Sequence, residues 1–329
     1  MRALVTGGNG FLGRYIVEQL LARGDAVRVV GRNAYPELAA LGVECHRADL
    51  SAGDDVGAAL RGCDAVFHVA ARAGVWGSWG EFFRQNVVAT QHILDSAVRA
   101  GVAKFIYTSS PSVVFGESDL AGVDERQPFP TRYLAPYPHT KAIAEQWVLA
   151  RSDILTTALR PHLIWGPRDP HIVPRLVQRA RAGRLPQIGD GSNLVDVIYV
   201  ENAAAAHVLA ADALAEGSPL NGRPYFVSQD QPVALWEFVA DLLRLAGAPA
   251  IRRSLPYGVA RVAAGLIEDA YSFFDIASEP PLTRLVVAQM AMSHWFDTSA
   301  ARRDFGYQAT ISVEEGLRRT AVWVRNEGI

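Results

Sequence analysis

Three observations predict an α/β chain built on a doubly wound parallel sheet, followed by a smaller, mostly helical C-terminal region. A β-type run at 2–6 enters Gly7-Gly8-Asn9-Gly10-Phe11-Leu12-Gly13 and then a helical pattern through Leu21. Strand-like runs then alternate with helical patterns as far as residue 159. Past residue 165 the alternation ceases, and apolar residues recur mainly at helical spacing. Half of the 329 residues are hydrophobic, enough for a full core.

The glycine-rich turn is the first element to carry chemistry. Gly7, Gly10 and Gly13 allow a tight turn, close approach of backbone to a pyrophosphate and close helix–strand packing. The helix that follows offers free N–H groups in its first turn, where Phe11 and Leu12 lie, to the same anion. This is the Rossmann-type arrangement. The second strand, 26–30, ends at Gly31-Arg32. A carboxylate here, about 20 residues beyond the glycines, would hold the adenosine ribose hydroxyls of NAD. Arg32 stands there instead and can pair with a 2′-phosphate, so NADP(H) is expected ahead of NAD(H). A third strand, 43–46, leads to Asp49-Leu50, placed to meet the adenine ring. A fourth, 65–69, ends in Ala70-Ala71, small residues that let a cofactor approach the backbone.

The loop after it runs from Arg72 to Gly80 and holds Trp76 and Trp79 with no charge after Arg72. It suits an apolar substrate or serves as a tryptophan plug over the core. A helix over 81–100 carries Asn86, a polar residue able to be buried against the sheet. The fifth strand, 104–108, delivers Ser109-Ser110-Pro111-Ser112. A hydroxyl at the end of a central strand can hydrogen-bond a substrate carbonyl oxygen. Ser110 is the first choice, with Ser109 and Ser112 as rivals.

Tyr137 and Lys141 stand four apart at the start of a helical pattern and share one face one turn apart. A cation beside a phenol favours the phenolate, lowering the tyrosine pKa from about 10 toward working pH. Such a tyrosine can exchange a proton with a carbonyl/alcohol pair. Lys104 and Lys141 are the only two lysines in an arginine-rich chain.

A sixth strand, 155–159, leads into Arg160-Pro161-His162-Leu163-Ile164-Trp165-Gly166-Pro167, and the sheet is then expected to be complete. The division expected is a dinucleotide-binding domain over 1–165, with a return near 194–215, and a mainly substrate-binding region over 166–329. Helices are expected near 174–182, 201–214, 235–246, 257–274, 281–290 and 313–326. His162 and His171 fall near the mouth of the site without partners at metal-ligand spacing, and no metal is expected. The formal net charge of −2, with no basic run, excludes nucleic acid as the expected partner. Cys45 and Cys63 read as reduced core residues of a cytoplasmic protein. No secretory pattern or membrane-length apolar run is expected. The amphipathic stretch 255–274 could face a lipid-like substrate or make a peripheral membrane contact.

Taken together, Thr6-Gly7-x-x-Gly10-x-x-Gly13, Asp49-Leu50, His68-x-Ala70-Ala71, Asn86-Val87-x-x-Thr90, Tyr107-Thr108-Ser109-Ser110, Tyr137-x-x-x-Lys141 and Arg160-Pro161 resemble the extended short-chain dehydrogenase/reductase superfamily. The Arg72–Gly77 loop, Pro138-His139-Thr140-Lys141 and the segment from Arg160 to Pro167 resemble its 3β-hydroxysteroid dehydrogenase/isomerase branch. With 279–284 and Ser293-His294-Trp295-Phe296, the likeness is closest to the 2-alkyl-3-oxoalkanoate reductases of bacterial long-chain olefin biosynthesis.

The resemblance implies that Tyr137 is the acid/base and that Lys141 binds the nicotinamide ribose and tunes the tyrosine. It implies that Ser110 orients the carbonyl and that Asn86 supports a proton-relay water. Pro161 and Leu163 would lie against the cofactor, and Trp76, Ser112 and His162 against a hydrophobic small-molecule substrate. Ala89 replaces a frequent family glycine, and Pro111 follows the serine. The implied reaction is NADPH-dependent reduction of a 2-alkyl-3-oxoalkanoate, with Arg72, Arg160 or Arg168 holding the carboxylate. A homodimer through the helices 81–100 and 137–149 and contact with a pathway synthase are further implications. The alternatives are a 3β-hydroxysteroid or sterol-4-carboxylate dehydrogenase using NAD(P)+ and, in another class, a redox-silent NADP-binding sensor or assembly subunit. Tyr137, Lys141 and a suitable serine argue against the last.

Overall fold

The computed structural model describes residues 1–229 and 231–327. Seven parallel strands form the main sheet: β1 (Arg2–Thr6), β2 (Ala26–Gly31), β3 (Glu44–Arg47), β4 (Ala65–His68), β5 (Lys104–Thr108), β6 (Leu155–Pro161) and β7 (Arg223–Val227), in the order β3-β2-β1-β4-β5-β6-β7. The longer helices are α1 (Phe11–Ala22), α2 (Ala89–Arg99), α3 (Pro136–Leu149), α4 (Ile172–Arg181), α5 (Val200–Ala213), α6 (Leu235–Leu245), α7 (Tyr257–Phe273), α8 (Arg284–Ala291) and α9 (Val313–Glu327).

Successive strand residues face opposite sides, so each strand supplies two cores. Ala3, Val5, Val27, Val29 and Phe67 pack with α1 and α5, whereas Leu4, Val66, Phe105 and Tyr107 pack with α2 and α3. A parallel sheet covered on both faces needs such nearly continuous apolar strands. A third core gathers α4, α6 and parts of α7, α8 and α9 into the C-terminal region.

The structure departs from the sequence reading at two places that matter for the site. The sheet is not complete at residue 159: β7 adds to β6 in parallel register, with Tyr225 opposite Leu159. Arg223-Pro224 at its start obscures a strand, but β7 is an edge strand, where proline's missing N–H is tolerated. The helical stretch expected over 81–100 is interrupted by a π-helical turn, Arg84–Val88, between Trp79–Phe83 and α2. Such a bulge turns the side chains within it relative to an α-helical register, and Asn86 is one of them. Helix α8 begins later than expected because Thr283 caps it, its hydroxyl accepting from Val286 N at 3.3 Å.

A small four-stranded sheet, in the order Val233–Ala234, Leu194–Val195, His294–Phe296 and Leu120–Val123, joins the C-terminal region to the chain just beyond the Ser110 turn. Cys45 and Cys63 are free. Among the described residues no helix is long and apolar enough to cross a membrane. Helix α7 leaves Val259, Val262, Leu266 and Phe273 exposed along its length.

Four buried histidines are held below their ordinary value by burial: His68 at about 3, His207 at about 4, and His162 and His294 in the same direction. The unfolded chain takes up these protons below about pH 6.5 while the native protein does not. Burial raises Asp196 to about 7, with the opposite sign: its stabilising protonation is present in acid and lost as pH rises through 7. Burial also raises Glu125, Asp169 and Glu268, which act with Asp196, but from ordinary values below pH 5; each extra proton on the unfolded chain costs about 1.4 kcal/mol per pH unit, and between pH 6.5 and 5 the four histidines dominate. The urea midpoint is therefore expected to fall between pH 6.5 and 5; a constant midpoint would contradict this assignment.

Candidate active site

The glycine turn folds as a cradle. Gly10 N donates to Gly7 O at 2.8 Å, and a Cβ on Gly13 would lie 2.1 Å from that oxygen. Gly7 has φ +69°, and a Cβ there would lie 2.9 Å from Ala70 N, so side chains are barred where β1 and β4 end. Helix α1 has no side-chain cap at Gly10, leaving its first N–H groups available to an anion. Beside it lies a cavity of about 220 Å³ lined by Gly7, Arg32, Asp49, Leu50, Ala70 and Ala71, among others. An opening shaped by glycines next to uncapped helical N–H groups fits a dinucleotide. Phe11 starts α1, with its ring edge on Tyr15, while the side chain of Leu12 is packed in the core. Arg32 is exposed at the cavity, and its guanidinium makes no hydrogen bond or ion pair among the described residues. Asp49 accepts from Ser51 N and Oγ at 2.9 and 2.7 Å.

The second half of the site forms where β5 and α3 meet. Pro136 opens α3 from an extended Ala135, placing half-buried Tyr137 in the first turn and Lys141 in the next. Lys141 is 2 % exposed; its Nζ donates to Thr108 O at 2.5 Å and lies 4.1 Å from the centroid of the Tyr107 ring. Burial lowers its pKa to about 7, against the opposing pull of the Glu145 carboxylate one turn further on. The tyrosine behaves differently from the sequence expectation. In the protein alone, burial raises the Tyr137 pKa and the neighbouring Ser110 hydroxyl opposes the rise, while the ammonium is occupied at Thr108.

The three serines separate by position. Ser110, the one against Tyr137, bonds Ser112 Oγ at 2.9 Å and caps the turn Pro111–Val113. Pro111 is thus the first residue of that turn. Ser109 is buried, with no partner for its hydroxyl among the described residues.

Asn86 is buried and holds two segments together. Its Oδ1 accepts from Arg72 N at 2.7 Å, and its Nδ2 donates to Arg72 O and to Thr140 Oγ1 at 3.1 and 3.0 Å. Thr140 in turn donates to the Tyr137 carbonyl at 3.0 Å, so Asn86 braces the turn that presents Tyr137. Below it runs a thread that sequence reasoning missed. Ala70 N donates to Thr6 Oγ1, which donates to His68 Nδ1; Nε2–H of His68 donates to Thr90 Oγ1, which donates to Asn86 O. Each hydroxyl has one proton to give, which fixes the neutral tautomer of His68. The sequence signal was a histidine in an otherwise apolar strand, paired with threonines on neighbouring elements.

The arginines expected for a carboxylate are all engaged. Arg160 is buried in a two-point ion pair with Glu145, Arg168 pairs with Glu18, and Arg72 reaches Glu81 at 3.1 Å while stacking on Phe82. The Arg72–Glu81 and Arg168–Glu18 pairs both face solvent, but Arg168 is gripped by two hydrogen bonds and stacks on Tyr15, whereas Arg72 is held by a single contact and exchanges more cheaply. Trp76 is half-buried with its Nε1 donating to Ile276 O at 3.3 Å, and Trp79 is exposed with its ring 4.7 Å from that of His139; neither plugs the core. Pro161 ends β6, and Leu163 follows at φ +43°, a strained conformation for a leucine. His162 is buried against His294, and His171 lines a separate apolar cavity. Among the described residues no group of three histidines, cysteines or carboxylates forms a metal site.

Against known proteins, residues 4–257 match the 3-beta hydroxysteroid dehydrogenase/isomerase family. A 2-alkyl-3-oxoalkanoate reductase of Shewanella oneidensis is 42 % identical, covering 96 % of this chain and 84 % of that protein. Its counterpart in Stenotrophomonas maltophilia is 44 % identical, covering 97 % and 98 %. The solved structure of MoeE5 in complex with UDP-glucose and NAD is 27 % identical over the whole of both chains, with a TM-score of 0.76. The match over most of a chain that folds as a seven-stranded doubly wound sheet with a glycine cradle settles the family: the chain belongs to the 3-beta hydroxysteroid dehydrogenase/isomerase family of oxidoreductases acting on CH–OH groups.

Proposed function

We propose that the chain is an NADP(H)-dependent reductase that converts a 2-alkyl-3-oxoalkanoate to the 2-alkyl-3-hydroxyalkanoate. The observation that carries the proposal is the convergence of Ser110, Tyr137 and Lys141 at the carboxyl end of β5, in a chain whose relatives bear that activity in their names. When bound, the dinucleotide supplies the hydride that reaches the ketone carbon. Tyr137 delivers the proton that turns the ketone oxygen into a hydroxyl, and Ser110 donates a hydrogen bond to the same oxygen. Lys141 uses one of its three N–H donors on Thr108, leaving two for ribose hydroxyls and for charge balance as the phenol gives up its proton. Arg72 is the cation that can turn to the substrate carboxylate, at the small cost of a partly exposed ion pair. Such a reduction would serve long-chain olefin biosynthesis.

The preference for NADP rests on Arg32, which is free to meet a 2′-phosphate. A charge-assisted hydrogen bond contributes about 1.5–3 kcal/mol, so Arg32→Ala is expected to raise the KM for NADPH roughly 10- to 100-fold and leave that for NADH unchanged. Equal effects on both cofactors would overturn the assignment. The reaction itself is tested by NADPH oxidation with a long-chain 2-alkyl-3-oxo acid beside a 3-ketosteroid. Turnover of the steroid alone would move the chain to steroid oxidoreduction.

A further inference from the structure

The C-terminal region holds a second cavity of about 220 Å³ that the reaction described above does not use. Leu176, Phe238, Val239, Val286 and Met290 from α4, α6 and α8 line it, with Trp165 fully buried in its wall. A chamber of this composition disfavours water and takes an apolar chain.

The cavity also takes in a residue just past β6 and one from the small sheet. Leu163, next but one after Pro161 and held at φ +43°, forms part of it together with His294. His294 is fixed on both sides: Nε2–H donates to Gln289 O at 2.8 Å, and Nδ1 accepts from His162 Nε2 at 2.6 Å. Its ring lies 5.4 Å from that of Phe115, two residues past the Ser110 turn. His171 and Arg175, both exposed, line it as well. The mostly apolar lining thus includes both His294, whose ring meets Phe115 just past the Ser110 turn, and the exposed His171 and Arg175.

We propose that this cavity holds one alkyl chain of the substrate, entering past Leu163 and His294 and extending toward His171 and Arg175. The inference rests on the reductase reading and deepens it: the structure would select substrate by chain length here, away from the carbonyl. Each methylene taken up should improve kcat/KM by about fourfold, until the cavity is full.

The test is a series of 2-alkyl-3-oxo acids of rising chain length, measured with the wild type, Leu176→Phe and Val286→Phe. Both positions are half-buried, on different helices, so a fault in one fold does not compromise the other. Leu176→Phe adds the volume of about one methylene and Val286→Phe that of about two, so the variants should stop gaining about one and two carbons earlier and lose roughly fourfold and fifteenfold on the longest chain, with the smallest change on the shortest. Binding of saturated alkanoates of six to fourteen carbons, followed by calorimetry, reads the same length dependence without turnover. Variants that follow the wild-type dependence in both assays would overturn the cavity assignment. Binding that shortens in the variants, in a protein that reduces none of the keto acids, would uphold the cavity and overturn the reductase reading.

Discussion

Phenylalanine at Tyr137 is expected to lower turnover by about 10²–10⁴-fold, the range contributed by a positioned general acid, and to leave dinucleotide affinity within about twofold. The substitution removes one hydroxyl from a half-buried ring and adds no volume, so the turn braced by Thr140 and Asn86 keeps its shape. The cradle at Gly7, Gly10 and Gly13 lies on another strand end and is untouched. Ser110 loses the phenol but keeps Ser112, so no buried hydroxyl is orphaned. NADPH oxidation and cofactor titration by fluorescence separate the two readouts. Loss of less than tenfold would assign the proton to another donor, with the Ser110–Ser112 pair as the next to be replaced.

Breaking the pair between Arg160 and Glu145 is expected to have the largest effect on stability. Arg160 is 2 % exposed and Glu145 fully buried, they are bonded at 2.9 Å and 2.5 Å, and the third guanidinium nitrogen has no partner among the described residues. Phe226 stacks on the guanidinium at 5.0 Å, so no water replaces a lost carboxylate easily. Glu145→Gln leaves a buried, uncompensated cation and should cost about 3–5 kcal/mol, measured as a lowered urea midpoint. Replacing both partners together, Glu145→Leu with Arg160→Met, should recover most of that loss, because the desolvation of both charges is removed as well. A double variant as unstable as the single would show that the pair itself is strongly stabilising. Glu145 also opposes the downward shift of Lys141, so the single variant should lower the lysine pKa further and move the high-pH limit of turnover to lower pH.

What could be read from the sequence was whatever depends on local order. The glycine cradle, the Tyr137–Lys141 spacing and the first six strands follow from short-range pattern, because turns and single helical faces are set by residues close in the chain. What could not be read depends on partners far apart. Strand β7 starts with Arg223-Pro224 and is a strand only because β6 offers an edge 66 residues earlier, with Thr157 accepting Arg223 as its neighbour. The pairing of His162 with His294 spans 132 residues. The arginines were the clearest limit: composition shows that cations are plentiful but not which are already neutralised. Only the fold reveals that Glu145 holds Arg160 and Glu18 holds Arg168.

The late arrival of β7 has a consequence for how the chain is made. One face of the sheet, carrying Ala3, Val5, Val27 and Val29, is covered partly by α1 and partly by α5, whose residues begin at Val200. Until the ribosome has released that helix and then residues 223–227, the part of the apolar face that α5 covers is bare and the outer edge of β6 is unpaired. The nucleotide-binding half therefore cannot mature ahead of the rest, as an N-terminal domain usually does during synthesis. Its completion waits on the second half of the chain, so during synthesis part of the sheet's apolar face and the edge of β6 go without their native cover until residue 227 has emerged.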